Sequence, residues 1–232
     1  IDQYVLLVRT LVDFLKQRGA EPFLVPAMGS HGGATDAGQE ALLAHLGLTE
    51  ATAGAPIRSS MQTCCIGTTA SGLPVYVDQQ ACLADGIILL NRIKPHTSFR
   101  GRFESGLIKM LAIGLGKHDG AEATHLLRYE QMSGNLAAVG TYALAHLPVL
   151  AGVATLENGY GQLAAIHVLK PEEIAEQEPQ LLEHARAWMP RIYLDTIDAL
   201  IVGEIGKNIS GTGMDTNIIG RYHTQAASGG PQ

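Results

Sequence analysis

Apolar positions at the start of the chain recur at three- and four-residue steps: Tyr4, Val5, Leu7, Val8, Leu11, Val12 and Leu15. That spacing gathers them on one face of a helix over residues 2–18, which Gly19 closes. Residues 21–27 form a short apolar run and read as a buried strand. The turn Gly29-Ser30-His31-Gly32-Gly33 leads into a second helix over about 35–45, with Asp36 and Gln39 at capping-box spacing and Gly47 at its stop. Strand, Gly loop and helix in succession are the vocabulary of an α/β fold.

Residues 62–68 and 73–77, on either side of Ser71-Gly72, predict a hairpin. A short helix over about 79–84 leads into residues 86–93, a nearly all-apolar strand suited to the middle of a sheet. Helices are predicted near 105–113, 119–130 and 133–146. Residues 149–156 and 162–169 flank Glu157-Asn158-Gly159-Tyr160-Gly161 as a second hairpin. Pro171 opens another helix reaching about Met189, and residues 199–205 read as a last strand. No repeat and no break in composition appears. The expectation is one α/β domain over 1–225, a Rossmann-like mixed sheet flanked by helices with β-hairpin insertions, and a flexible tail or truncated linker over 226–232.

Of the 232 residues, 46% are hydrophobic and 16% charged, so the chain can bury a substantial core and disorder is excluded as its main state. A net charge of −6 argues against nucleic acid as a partner, and 5% aromatics against a base-stacking platform. No apolar run approaches the roughly 20 residues of a membrane span. These balances predict a cytoplasmic protein with neither nucleic-acid nor membrane partners. Cys64, Cys65 and Cys82 are too few and too irregular for a disulfide framework and read as buried, inert thiols. The chain opens at Ile1 inside a helical pattern and ends in small residues, which reads as a fragment of a longer protein.

The first Gly loop offers backbone N–H groups at a helix N-terminus, where an anion is favoured. Its spacing is neither that of a P-loop nor that of G-x-G-x-x-G, and a plain tight turn reads equally well. His31 within it is a general base or phosphate contact on one reading and a surface residue on the other. The densest chemistry runs from Asn91 to Lys109, beginning at the end of an apolar strand, where open α/β sheets hold their ligands. It gathers His96, Ser98, Glu104 and the cations Arg92, Lys94, Arg100 and Arg102. Lys109 then stands among Leu107, Ile108, Met110, Leu111 and Ile113. Desolvation there would lower its pKa and make it a nucleophile; a lysine that snorkels to water is the alternative. His118 and His125 are seven residues apart, too far along one helix to ligate one metal together. Residues 206–215, polar and Gly-rich, line the same cleft or form a mobile loop.

Residues 66–125 resemble the nickel-dependent lactate racemase family, through Gly67-Thr68-Thr69-Ala70-Ser71-Gly72-Leu73-Pro74-Val75, Ala84-Asp85-Gly86-Ile87-Ile88, Pro95-His96 and the Gly106–Lys109 turn. The upstream Gly29-Ser30-His31 loop with its helix extends the resemblance over roughly residues 20–130. The resemblance implies a nickel-pincer nucleotide attached covalently at Lys109. It also implies nickel coordination by His125, sixteen residues on, and acid–base work by His96. His31, Gly29, Ser30, Gly32, Gly33 and Ser98 would line the cofactor or substrate site.

Three departures stand out. Gly32-Gly33 replaces the family's substrate-orienting Arg-Pro, and Ser59-Ser60-Met61-Gln62 stands where a second catalytic histidine is expected. The interval from His96 to Lys109 is longer than the family's, with Arg100 and Arg102 in the expanded part as replacement carboxylate or phosphate contacts. The implied activity is an isomerase, a racemase or epimerase of a 2-hydroxy acid such as a sugar acid. It would work by proton-coupled hydride transfer to the cofactor, on a small carboxylate substrate. A C-terminal domain of the full chain would complete the cleft, and a homo-oligomer is left open. The alternatives are a Schiff-base lyase or aldolase at Lys109, and a non-catalytic anion- or nucleotide-binding module on the same fold.

Overall fold

The fold is that of a computed structural model, which describes residues 1–125 (backbone only at His125), 131–194, 196–206, 213–222, 224 and 227. α1 (Tyr4–Lys16) buries Val8 and Val12, one turn apart. They pack with Leu43 of α2 (Asp36–His45), Leu48, and Ala53 of α3 (Glu50–Ala53) as a small satellite core.

The strand expected over 21–27 shrinks to a single parallel bridge from Leu24 to Ile57, with Leu24 N–H on the Pro56 carbonyl at 2.8 Å. Pro22 and Pro26 flank it and have no N–H to extend a ladder. The capping box expected at Asp36 is displaced by one residue: Thr35 caps α2, its Oγ1 accepting from Gly38 N–H at 3.1 Å. Gln39 is thereby released to turn into the core, where it is fully buried.

β1 (Thr63–Thr68) and β2 (Pro74–Asp78) form the first hairpin, an antiparallel pair separate from the main sheet. Neither face of β1 is fully covered, so Cys65 is exposed and Cys64 half-buried; the expected burial of the thiols fails there, although all three are free. Asp78 caps α4 (Gln79–Cys82) by accepting from Gln80 and Ala81 N–H.

The main sheet begins with β3 (Ile87–Arg92). From it the chain crosses over through α5 (Leu107–Lys109), a π-helical turn (Met110–Gly114), α6 (Lys117–His125) and α7 (Met132–His146). It returns as β4 (Val149–Glu157), parallel to β3, and β5 (Leu163–Leu169) runs back antiparallel to β4, so the sheet is mixed, in the order β3-β4-β5. α8 (Pro171–Ala187) packs against β4. The core lies between these layers: Leu107, Ile108 and Leu111 of the crossover, Ala154 and Leu156 of β4, and Ile174 of α8 are sealed from water. The α/β class therefore stands. The strand expected over 199–205 does not form: Leu200 is 54% and Ile201 96% exposed, and no ladder partner lies beside them among the described residues. Apolar composition alone makes no strand without a partner. α9 (Thr216–Ile219) is the last element among the described residues.

Candidate functional site

At the end of β3 the chain turns out and back as a closed loop. Lys94 and Ser105 exchange backbone hydrogen bonds at 2.9 and 3.2 Å, and Asn91 Nδ2 donates to the Gly106 carbonyl at 2.8 Å. Within the loop the carboxylate of Glu104, 1% exposed, is the organiser. Its Oε2 accepts from His96 N–H at 2.7 Å, its Oε1 from Gly101 N–H at 3.2 Å, and it pairs with Arg100 and with Arg186 of α8. Charge-assisted bonds of this kind are the strong ones. The His96 ring stacks on Phe99 at 4.2 Å, and its Nδ1 accepts from Ser98 N–H at 3.1 Å. A neutral His96 held this way carries its proton on Nε2.

Phe99 also links His96 to Lys109, whose Nζ lies 6.0 Å from the same ring centroid. Burial, with help from the Lys94 charge and against the pull of Glu104, lowers the Lys109 pKa to about 8. The π-helical turn follows at once, Leu115 N–H reaching the Met110 carbonyl at 2.8 Å. Such turns are rare and cluster at functional sites. Burial pushes Glu178 of α8, which accepts from Ile108 N–H at 3.0 Å, up to about 7.

The Gly loop packs on the far end of this helix. Gly29 N–H donates to the Gly114 carbonyl at 3.0 Å, and a Cβ on Gly114 would stand 2.7 Å from the Ala27 carbonyl oxygen. Gly32, at φ +68°, would clash with the backbone of Gly38 if it carried a side chain, so the tight-turn requirement is real there. Gln39 Nε2 holds the carbonyls of Gly29 and His31, while its Oε1 accepts from Lys117 Nζ at 3.1 Å. Lys117 sits at φ +54° with its side chain fully buried, its ammonium on the Pro26 carbonyl and 3.2 Å from Asp78 Oδ2. This network ties the Gly loop to the first residue of α6. Ser30, His31 and Gly33 face solvent.

The segment around α9 covers the loop from outside. Thr216 Oγ1 donates to the Thr97 carbonyl at 2.7 Å, and Thr224 donates to that of Ser98. Arg100 donates to the carbonyls of His96 and Phe99, to Asn217 Oδ1 and to the Tyr222 hydroxyl. Its guanidinium is thus engaged with protein groups. Arg102 is exposed, with one bond to the Ala175 carbonyl. Lys94 is exposed, and its ammonium has no hydrogen bond or ion pair among the described residues.

His118 is exposed, and His125 ends α6 with its side chain outside the described residues, as are residues 207–212 of the Gly-rich segment. No three His, Cys, Asp or Glu side chains converge among the described residues. That bears on a metal held by protein alone, not on a cofactor that brings its own donors.

Sequence reading thus brought His96, Ser98, Arg100, Glu104 and Lys109 to one locus and missed Glu178, Arg186, Lys117, Asp78, Asn217 and Tyr222. One signal was available: Glu178 falls on the stripe Ile174, Leu181, Leu182 and Ala185, a carboxylate on an otherwise apolar face.

The sequence profile of the lactate racemase N-terminal domain matches residues 3–135. Among solved structures, the chain is similar to the lactate racemase apoprotein from Thermoanaerobacterium thermosaccharolyticum, with a TM-score of 0.60 at 18% identity over 76% of this chain and 45% of that one. It spans less than half the length of that relative. No curated protein matches.

Proposed function

The chain belongs to the lactate racemase N-terminal domain family, and from that premise we propose that it is the cofactor-anchoring part of a hydroxy-acid racemase or epimerase, with Lys109 as the anchor. The observation that carries this reading is the Lys109 amine, whose pKa is lowered to about 8 and which shares one aromatic ring with His96. Only a neutral amine acylates, and burial supplies that form near physiological pH. A nickel-pincer nucleotide fits this donor set: an acylatable lysine in the first turn of a helix, an imidazole that shares the Phe99 ring with it, and the loop N–H groups of Ser30, Gly32 and Gly33. When bound, it would supply the acceptor for the C2 hydride of a 2-hydroxy acid and return it.

The chain's own residues do the rest. His96 takes the hydroxyl proton of the 2-hydroxy acid at Nε2 and returns it to the keto oxygen; a neutral ring that accepts at Nε2 carries its own proton on Nδ1, so this role requires it to give up the Ser98 N–H bond. Lys94, exposed and close enough to Lys109 to depress its pKa, takes the substrate carboxylate, since Arg100 is engaged elsewhere. His125 is the nickel ligand on its sixteen-residue spacing from Lys109. Ser98, His31 and the Gly29–Gly33 turn line the cofactor, and the protein works in the cytoplasm.

The test is co-expression with the pincer-cofactor biosynthetic genes and nickel, followed by intact mass and metal content. An adduct lost in Lys109→Ala, with nickel lost in His125→Ala, is the expected result. An unmodified mass beside a control racemase that loads would overturn the reading. The same lowered amine supports a second reading, Schiff-base chemistry. Borohydride with pyruvate would trap an adduct at Lys109 under that reading and none under the first.

A further inference from the structure

Helix α8 grips the segment that carries His96 and Lys109 at three points. Arg102 donates to the Ala175 carbonyl at 3.0 Å, Arg186 pairs with Glu104, and Glu178 Oε2 accepts from Ile108 N–H at 3.0 Å. The third contact has the least obvious reason to exist. Glu178 is 1% exposed, and its Oε1 has no hydrogen-bond partner among the described residues. A buried carboxylate with an unmet oxygen is unfavourable unless something local compensates. The compensation here is the start of α5, whose first N–H groups have no acceptor within the helix and meet the carboxylate instead. Gly106 makes room for it: a Cβ at that position would lie 2.2 Å from Glu178 Oε1. Lys109 lies in the first turn of the helix so capped.

We propose that Glu178 is a positioning residue for Lys109: reaching across from α8, it caps the helix that begins at Leu107 and so fixes where the Lys109 amine sits, with Gly106 as the space it needs. The role rests on Lys109 being the anchoring amine, but the test needs no cofactor. The arrangement also explains a glycine immediately before the helix. Gly106 is extended, at φ 178°, which any residue adopts, so the carboxylate contact and not the backbone demands glycine there.

The full chain, without cofactor, is acetylated with acetic anhydride across a pH series, and Lys109 is followed by peptide mass spectrometry with exposed Lys170 as internal reference. Wild-type Lys109 is expected to label with a midpoint near 8. Glu178→Ala and Gly106→Ala should move that profile toward an ordinary lysine and cut labelling at pH 8 by about fivefold or more. Glu178→Gln, which keeps an oxygen for Ile108 N–H, should stay within about twofold. A Glu178→Ala protein that melts lower yet labels Lys109 with the wild-type profile would reduce Glu178 to a structural role and overturn the proposal. Should Glu178→Ala not fold, Gly106→Ala and Glu178→Gln decide it: a shift in the first alone supports the role, and wild-type profiles in both remove it. Wild type that refuses the cofactor while the labelling effect persists would sink the cofactor reading and leave this role standing.

Discussion

His96 donates its backbone N–H to Oε2 of Glu104 at 2.7 Å, and that carboxylate is sealed from solvent while also pairing with Arg186. One buried anion therefore holds the loop of the acid–base candidate to a helix some eighty residues away. Glu104→Gln keeps the volume but turns an NH₂ donor toward N–H groups and leaves two guanidiniums facing a neutral amide. Breaking such a pair should cost about 2–4 kcal/mol, discounted because both arginines keep some access to water. Urea unfolding measures it; an unchanged midpoint would mean that the backbone bridge between Lys94 and Ser105 suffices to hold the loop.

Lys109 sets a stability signature in alkali. Its pKa is near 8 in the folded protein against 10.5 when free, so the unfolded chain binds more protons between those values and stability rises with pH across that window. Below pH 8 the buried amine costs about 3 kcal/mol. Lys109→Met should accordingly be the more stable protein at pH 7, and its advantage should shrink steadily between pH 8 and 10.5. A constant difference across that range would mean that the amine reaches water freely.

The pair Lys117–Asp78 should behave non-additively. Each side chain is fully buried, and the ammonium also holds the Pro26 carbonyl and Gln39. Lys117→Met leaves a buried carboxylate without its cation and should cost about 3–5 kcal/mol. Adding Asp78→Asn should recover part of that loss, so the double variant falls short of the sum by about 1 kcal/mol or more. Strict additivity in denaturant unfolding would show that the two charges do not stabilise each other.

Legibility tracked the range of the interactions. Both hairpins, β3, α7 and α8 follow from periodicity and turn residues within a dozen positions, and the structure has them. The loop after β3 could be recognised because its charges cluster where a buried strand ends. What failed depended on partners far along the chain or on backbone donors. Pro22 and Pro26 cut an apolar run to one bridge, and residues 199–205 have no strand to join among the described residues. Thr35 took the cap assigned to Asp36 because its hydroxyl, one residue earlier, reaches Gly38 N–H. Nothing local reveals that Asn217 and Tyr222 fold over Arg100. Lys117 likewise gives no local sign of its burial: its partners Pro26, Gln39 and Asp78 are all distant in sequence.

Glu178 supplies the acid counterpart of the Lys109 signature, and with the opposite consequence. Burial raises its pKa from 4.5 to about 7, so the folded protein binds the extra proton between those values. Its contribution is fully present below pH 4.5 and is lost as pH rises through 7, a change of about 3 kcal/mol. Glu178→Gln cannot titrate but can still accept from Ile108 N–H. Its stability relative to wild type should therefore climb across that interval and level off above pH 7, measured by urea unfolding at half-unit steps. Glu104 and Arg186, which meet on the same helix, are common to both proteins and cancel in the comparison. A flat difference would place the Glu178 carboxyl in contact with water and remove the physical basis for its cap on the Lys109 helix.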